Sequence, residues 1–133
     1  DGTSRGEFER FCRGAFDALD GQHDTHVILE EAARYTKGSG PADEHFGNLL
    51  QRGRKYGAIC YTVGQRAAEL PTTARRLSDT VMVGYVSPDD RKAAAELLGI
   101  SVDQVGQIEP GKLEFWVREP GKEPYKRRFK YMG

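Results

Sequence analysis

Apolar and polar positions along this chain change period several times. Phe8, Phe11, Cys12, Ala15, Phe16 and Leu19 recur three and four residues apart. That spacing predicts an amphipathic helix over about residues 4–20, with Thr3 or Ser4 as its cap and Gly21 as its stop. Residues 26–30, His-Val-Ile-Leu-Glu, form a short continuous apolar run instead. Such a run predicts a strand covered on both faces, as in a parallel sheet. Residues 37–42, Lys-Gly-Ser-Gly-Pro-Ala, read as a loop. A helix over 43–55 follows, with Phe46, Leu49 and Leu50 inward, then a second buried strand over 58–63 and a third over 80–86. Ser87-Pro88-Asp89-Asp90 opens the next helix, with Ser87 as cap, Pro88 at the first helical position and the acids at the positive end of the dipole. It ends at Leu98 before Gly99, and Ser101 to Val105 adds a helical turn.

The pattern then alternates. Leu113 to Glu119 and Tyr125 to Tyr131 are extended runs on either side of a Pro120-Gly121 turn, which predicts a β-hairpin. Helices alternating with strands, followed by a hairpin, predict a parallel α/β sheet with an appended antiparallel ribbon. No repeat, low-complexity segment or dividing linker interrupts the order.

Composition narrows the options. At 133 residues the chain is one domain or a piece of one. Lys and Arg number 20, as do Asp and Glu, so the neutral total argues against a general polyanion coat but leaves room for a local basic track. Charged residues at 30% and apolar ones at 38% fit a folded chain rather than a disordered one. No apolar run reaches the ~18 residues of a membrane span, and no signal-peptide pattern is present. Cys12 and Cys60 read as buried thiols of a reducing compartment. A start at Asp1 rather than Met raises the expectation of a longer parent protein.

The chemistry gathers at the strand ends. Glu30 and Glu31 follow the first apolar strand, as in a Walker B element, where one acid holds Mg²⁺ and its neighbour polarises the attacking water. An ordinary strand end or helix start has the same look. Gln65 ends the next strand, where an amide can orient water, although a solvated Gln fits equally. Arg52 and Arg54 flank Gly53, positions suited to an arginine finger, to DNA phosphate or simply to a helix C-terminus. His23, His26 and His45 are too scattered for a metal site. Lys126, Arg128 and Lys130 fall on one hairpin face and could track a phosphate backbone, while Arg127, Phe129 and Tyr131 fall on the other. Phe115 and Trp116 read as core.

These phrases, in this order, resemble the half of the FtsK/HerA superfamily of P-loop ATPases that follows the P-loop, and most closely the Zot-like and phage genome-packaging ATPases. The resemblance runs over residues 7–100. It rests on Val27-Ile28-Leu29-Glu30-Glu31 with Thr36, on Arg52-Gly53-Arg54-Lys55-Tyr56-Gly57, on Gln65-Arg66-Ala67-Ala68-Glu69 and on Asp90-Arg91-Lys92. It implies a partial RecA-like, mostly parallel sheet with helices on both faces and the P-loop strand absent. It divides the chain into a Walker B half, 1–108, and a hairpin extension, 109–133. Departures are Glu30 where Asp is usual, Gly64 where Thr is common and Ala67 where Pro often follows. No Gly-x-x-x-x-Gly-Lys-Ser/Thr occurs, and the Gly-Lys pairs at 111–112 and 121–122 lie in the hairpin.

The resemblance implies ATP and Mg²⁺ as cofactors. Glu30 would hold the metal through water and help bind nucleotide, Glu31 would be the general base, Gln65 would orient water beside the γ-phosphate, and Arg54 or Arg52 would reach a neighbouring subunit's nucleotide. The expected whole is a hexameric DNA translocase for viral genome packaging or extrusion. It would act on double- or single-stranded DNA, in the host cytoplasm or on the virion, with a membrane or capsid partner. Conjugative transfer and DNA-end processing lie in the same superfamily. The competing expectation is a non-catalytic, P-loop-less module for assembly or DNA binding. Either way, a missing middle strand leaves two sheet edges to be paired.

Overall fold

The computed structural model describes residues 2–30 and 42–130. Glu31, Thr36, most of the 37–42 loop and Tyr131 lie outside the described residues. The chain divides into two compact units, Asp1–Gln65 with Glu69–Leu77, and Arg66–Ala68 with Ser78–Gly133.

In the first unit, α1 spans Gly2–Asp17, β1 Thr25–Glu30, α2 Glu44–Arg52, β2 Ala58–Val63 and α3 Thr72–Leu77. The stripe read from α1 packs as expected except at Phe11, which is 55% exposed. Cys12 joins Val27, Leu29, Phe46, Leu49, Ala58 and Ala74 in the buried core, with Phe8, Ala15, Phe16 and Leu19 against it. Phe8 meets Phe46 edge-on at 5.3 Å. Burial pushes the Cys12 thiol up to about 12 and also raises that of Cys60.

The start of α2 is held from a distance. Asp43, at its N-cap position, makes no side-chain cap bond. Instead the Glu9 carboxylate of α1 accepts from the backbone N–H of His45 at 2.8 Å and of Phe46 at 3.0 Å. That satisfies two of the orphan donors of the helix start and places a negative charge at the positive dipole end. Arg5 pairs with Asp43 at 3.2 Å beside it.

β1 and β2 pair in parallel, from Thr25 opposite Ala58 to Glu30 opposite Val63. Here the expectation of two-sided burial is corrected. Val27 and Leu29 are buried, whereas Ile28 is 62%, Ile59 36%, Tyr61 45% and Val63 49% exposed. Side chains alternate along a strand, so one face meets the helices and the other lies open. An uninterrupted apolar run signals that a strand can be covered twice; it does not supply the second cover.

The second unit holds β3 (Val81–Val83), α4 (Arg91–Leu98), α5 (Val102–Val105), β4 (Glu114–Arg118) and β5 (Tyr125–Arg128). Its sheet is antiparallel, in the order β3-β4-β5, so the third expected strand joins the hairpin rather than β1 and β2. The fold class is mixed α/β, as expected. Val81, Ala94, Ala95, Leu98, Val105, Ile108 and Trp116 form its core. Trp116 Nε1 donates to the Gln104 carbonyl at 2.8 Å, and Ser101 with Gln104 forms a capping box at α5. Ser87, expected to cap the helix after it, donates its hydroxyl to the Asp90 carboxylate at 3.0 Å. Gly99 ends α4 at φ +74°, a conformation glycine adopts without strain.

Glu9→Ala is expected to lower the unfolding free energy by about 1–2 kcal/mol, the loss typical of a helix cap. Urea denaturation should show a smaller loss for Glu9→Gln, which keeps one acceptor.

Candidate functional site

Because β1 and β2 run in parallel, they finish on the same sheet edge. The Glu30 Cα lies across from that of Val63, and Gln65 follows two residues later. Glu30 and Gln65 are both exposed. The fold thus brings the first acid and the glutamine strand to one edge, where open α/β sheets bind ligands. Glu31 lies outside the described residues. Among the described residues no cluster of three His, Cys, Asp or Glu could hold a metal.

The Arg-Gly-Arg phrase has a packing reason. Residues Gly53–Tyr56 tighten into a 3₁₀ turn after α2. Gly53 is buried, and a Cβ there would stand 2.9 Å from that of Ala58. Gly57 has φ +98°, and a Cβ there would collide with the His23 carbonyl. The turn is tied to the start of β1 and the segment before it, by Thr25 N–H to the Gly57 carbonyl at 2.7 Å and Gly21 N–H to the Tyr56 carbonyl at 3.1 Å. With both glycines inward, Arg52 and Arg54 are carried outward and exposed.

The open face of β1 and β2 is organised as well. His26 stacks on Tyr61 at 5.8 Å between ring centroids, and its Nδ1 lies 3.0 Å from the Tyr61 hydroxyl. The other histidines are structural. His23 closes a turn on Asp20, whose carboxylate takes the His23 ring at 2.7 Å and the backbone N–H of Gln22 and His23. His45 contributes its backbone N–H to the Glu9 cap.

In the second unit, Arg66 Nε donates to Asp90 Oδ1 at 2.7 Å. This bond, with the Ser87 hydroxyl, holds the Asp90 carboxyl below the usual carboxylate range. The pair links two phrases read separately, Gln65-Arg66 and Asp90-Arg91-Lys92. No local periodicity signals partners 24 residues apart.

Lys126, Arg128 and Lys130 are exposed. Cross-strand pairing sets Lys126 opposite Trp116 and Arg128 opposite Glu114, and Arg127 opposite Phe115 on the other face. The hairpin faces therefore alternate as the sequence implies, and Trp116 is core as expected.

No family model matches the chain. It is 30% identical over 125 residues to Protein P9 of Pseudoalteromonas phage PM2, a match covering 91% of this chain and 56% of P9. Among solved structures it resembles the genome packaging NTPase B204 from Sulfolobus turreted icosahedral virus 2. With sulfate bound, the TM-score is 0.75 at 15% identity, covering 95% of this chain and 61% of B204. With ATP-gammaS bound it is 0.74 at 15% identity, covering 94% and 61%. The chain thus has the fold of part of a viral packaging NTPase, and it spans a little over half the length of these relatives.

Gly57→Ala is expected to lower the unfolding free energy by at least ~2 kcal/mol, from a left-handed backbone and overpacking together, as thermal or urea unfolding would measure. The depressed Asp90 carboxyl gives a pH signature. Its contribution is present above the ordinary Asp value near 4 and is lost as pH falls through the lower folded value. Stability of Asp90→Asn should therefore fall less steeply in acid than that of the unaltered chain.

Proposed function

We propose that this chain supplies the acid-and-glutamine half of a nucleotide-hydrolysing site in a viral genome-packaging motor. The observation that carries the reading is the parallel register of β1 and β2, which puts Glu30 and the strand of Gln65 at one edge. Glu30 would hold Mg²⁺ through water, a fit to a hard cation that takes one or two carboxylates and leaves its remaining positions to phosphate and water. Its carboxylate is exposed and so open to a hydrated cation. Bound Mg²⁺ would supply charge neutralisation at the phosphates. Glu31 would take the proton of the attacking water, Gln65 would orient that water, and Arg54 or Arg52 would reach a nucleotide on a neighbouring subunit of a homo-oligomeric ring.

A phosphate-gripping loop would come from outside these 133 residues. The open face of Ile28, Ile59, Tyr61 and Val63 supports that reading, because parallel sheets are stable when covered on both sides. The similarity to a phage protein and to an NTPase solved with ATP-gammaS favours a packaging substrate, DNA, and nucleotide as fuel. The second reading, a non-catalytic assembly module, is favoured only by the missing Gly-Lys-Ser/Thr loop.

In the longer polypeptide that carries this chain, Glu31→Gln is expected to leave ATP affinity near its original value and to lower kcat by 10²-fold or more (roughly the range for a general base). Steady-state hydrolysis with a nucleotide-binding assay separates the two. Unchanged turnover would remove Glu31 from the base role, and absent ATP binding in the unaltered protein would favour the non-catalytic module.

A further inference from the structure

We infer that the β5 edge of the second unit is a contact surface for the phosphate backbone of nucleic acid, formed by Lys126, Arg127, Arg128 and Lys130 together. Among the described residues β5 pairs only with β4, so it is the outer strand of its sheet. Four cations fall within five consecutive residues, and all four are exposed. In a strand they split between faces, Lys126 and Arg128 on one, Arg127 on the other, so the edge carries positive charge on both sides. Among the described residues none of the four forms an ion pair: Glu119 pairs with Lys122 at 2.9 Å, and Glu114 lies across from Arg128 without bridging to it.

The cations are also ordered by aromatic rings. Lys126 Nζ lies 5.5 Å from the centroid of Trp116, and the Arg127 guanidinium 5.0 Å from that of Phe129. Phe115 meets Phe129 edge-on at 5.6 Å, fixing a ring that is itself 38% exposed. Such contacts restrict the long side chains before a ligand arrives, which lowers the entropy lost on binding. An exposed ring between cations suits a ligand that has both phosphates and flat bases. Residues 126–130, the last two of them just past the end of β5, reach at most about 13 Å when extended, a length over which a duplex carries roughly eight phosphates. Charge that merely protects a sheet edge from pairing needs neither the rings nor both faces. The preference for nucleic acid over an acidic protein rests in part on the packaging reading; the charge and its ordering do not.

The test is binding of a short fluorescein-labelled DNA duplex to the 133-residue chain across about 50–200 mM salt. The variant Lys126→Gln/Arg127→Gln/Arg128→Gln/Lys130→Gln should flatten the slope of log affinity against log salt by about 3. A charge-matched control, Arg10→Gln/Arg13→Gln/Lys55→Gln/Arg76→Gln, removes four exposed cations elsewhere and should change it by less than about 1. Fluorescence of Trp116, the single tryptophan, should respond to duplex in the unaltered chain as Lys126 turns to phosphate. Tighter binding of single-stranded DNA would sustain the inference and add stacking on Phe129. Equal slopes for the two variants would overturn it, as would polyglutamate displacing the label as well as unlabelled duplex. If the fourfold variant fails to fold, Arg127→Gln alone should flatten the slope by about 1, and an unchanged slope would overturn the inference. Hydrolysis is not read, so failure of the proposed ATPase role leaves this result standing, and the reverse.

Discussion

The parallel pairing of β1 with β2 is the constraint on which the first unit depends. One face of the pair is fixed by Val27 and Leu29 against the helices. A slip of one residue would turn that face to solvent and bring His26, Ile28 and Glu30 inward. The turn between α2 and β2 guards the register, because Gly57 reaches the His23 segment only without a Cβ, and its carbonyl receives Thr25 N–H. The same glycines send Arg52 and Arg54 outward. One backbone requirement thus sets the strand pairing, the edge that carries Glu30 and Gln65, and the presentation of the arginines.

The pairing also leaves work undone. Its outer face carries exposed Ile28, Ile59, Tyr61 and Val63, and among the described residues its strands pair only with each other. In water such a face is a standing incentive to bind something that buries it. The relatives are longer than this chain, and the solved ones share its fold over nearly its whole length. A sheet finished by further elements of a longer polypeptide accounts for both the bare face and the missing phosphate loop. In the second unit Trp116 both fills the core and anchors the hairpin to the Gln104 carbonyl.

Much of this was legible in the sequence, and the reasons differ by element. The α1 stripe and the β2 run were readable because local spacing alone decides them. The 58–63 strand matches residue for residue, bounded as it is by Gly57 and Gly64. The 80–86 strand shortens to Val81–Val83, since its partner β4 pairs only with those three positions. Its antiparallel partnership was not readable, because strand propensity carries no information about the neighbour. Glu9 capping α2 and Arg66 meeting Asp90 were equally hidden, being products of tertiary approach. The acid pair was legible as a phrase, but only Glu30 falls among the described residues, so the roles assigned to Glu31, Gln65, Arg52 and Arg54 rest on chemistry and order.

The central claim is that nucleotide binds at the edge where β1 and β2 end. Amide hydrogen exchange in the longer polypeptide, with and without ATP-gammaS, tests it most directly. The account requires slowed exchange at Glu30, Glu31 and Gln65 when nucleotide is present, with the far ends of both strands, Thr25 and Ala58, little changed. Nucleotide binding that protects other segments and leaves those three amides unaffected would contradict it.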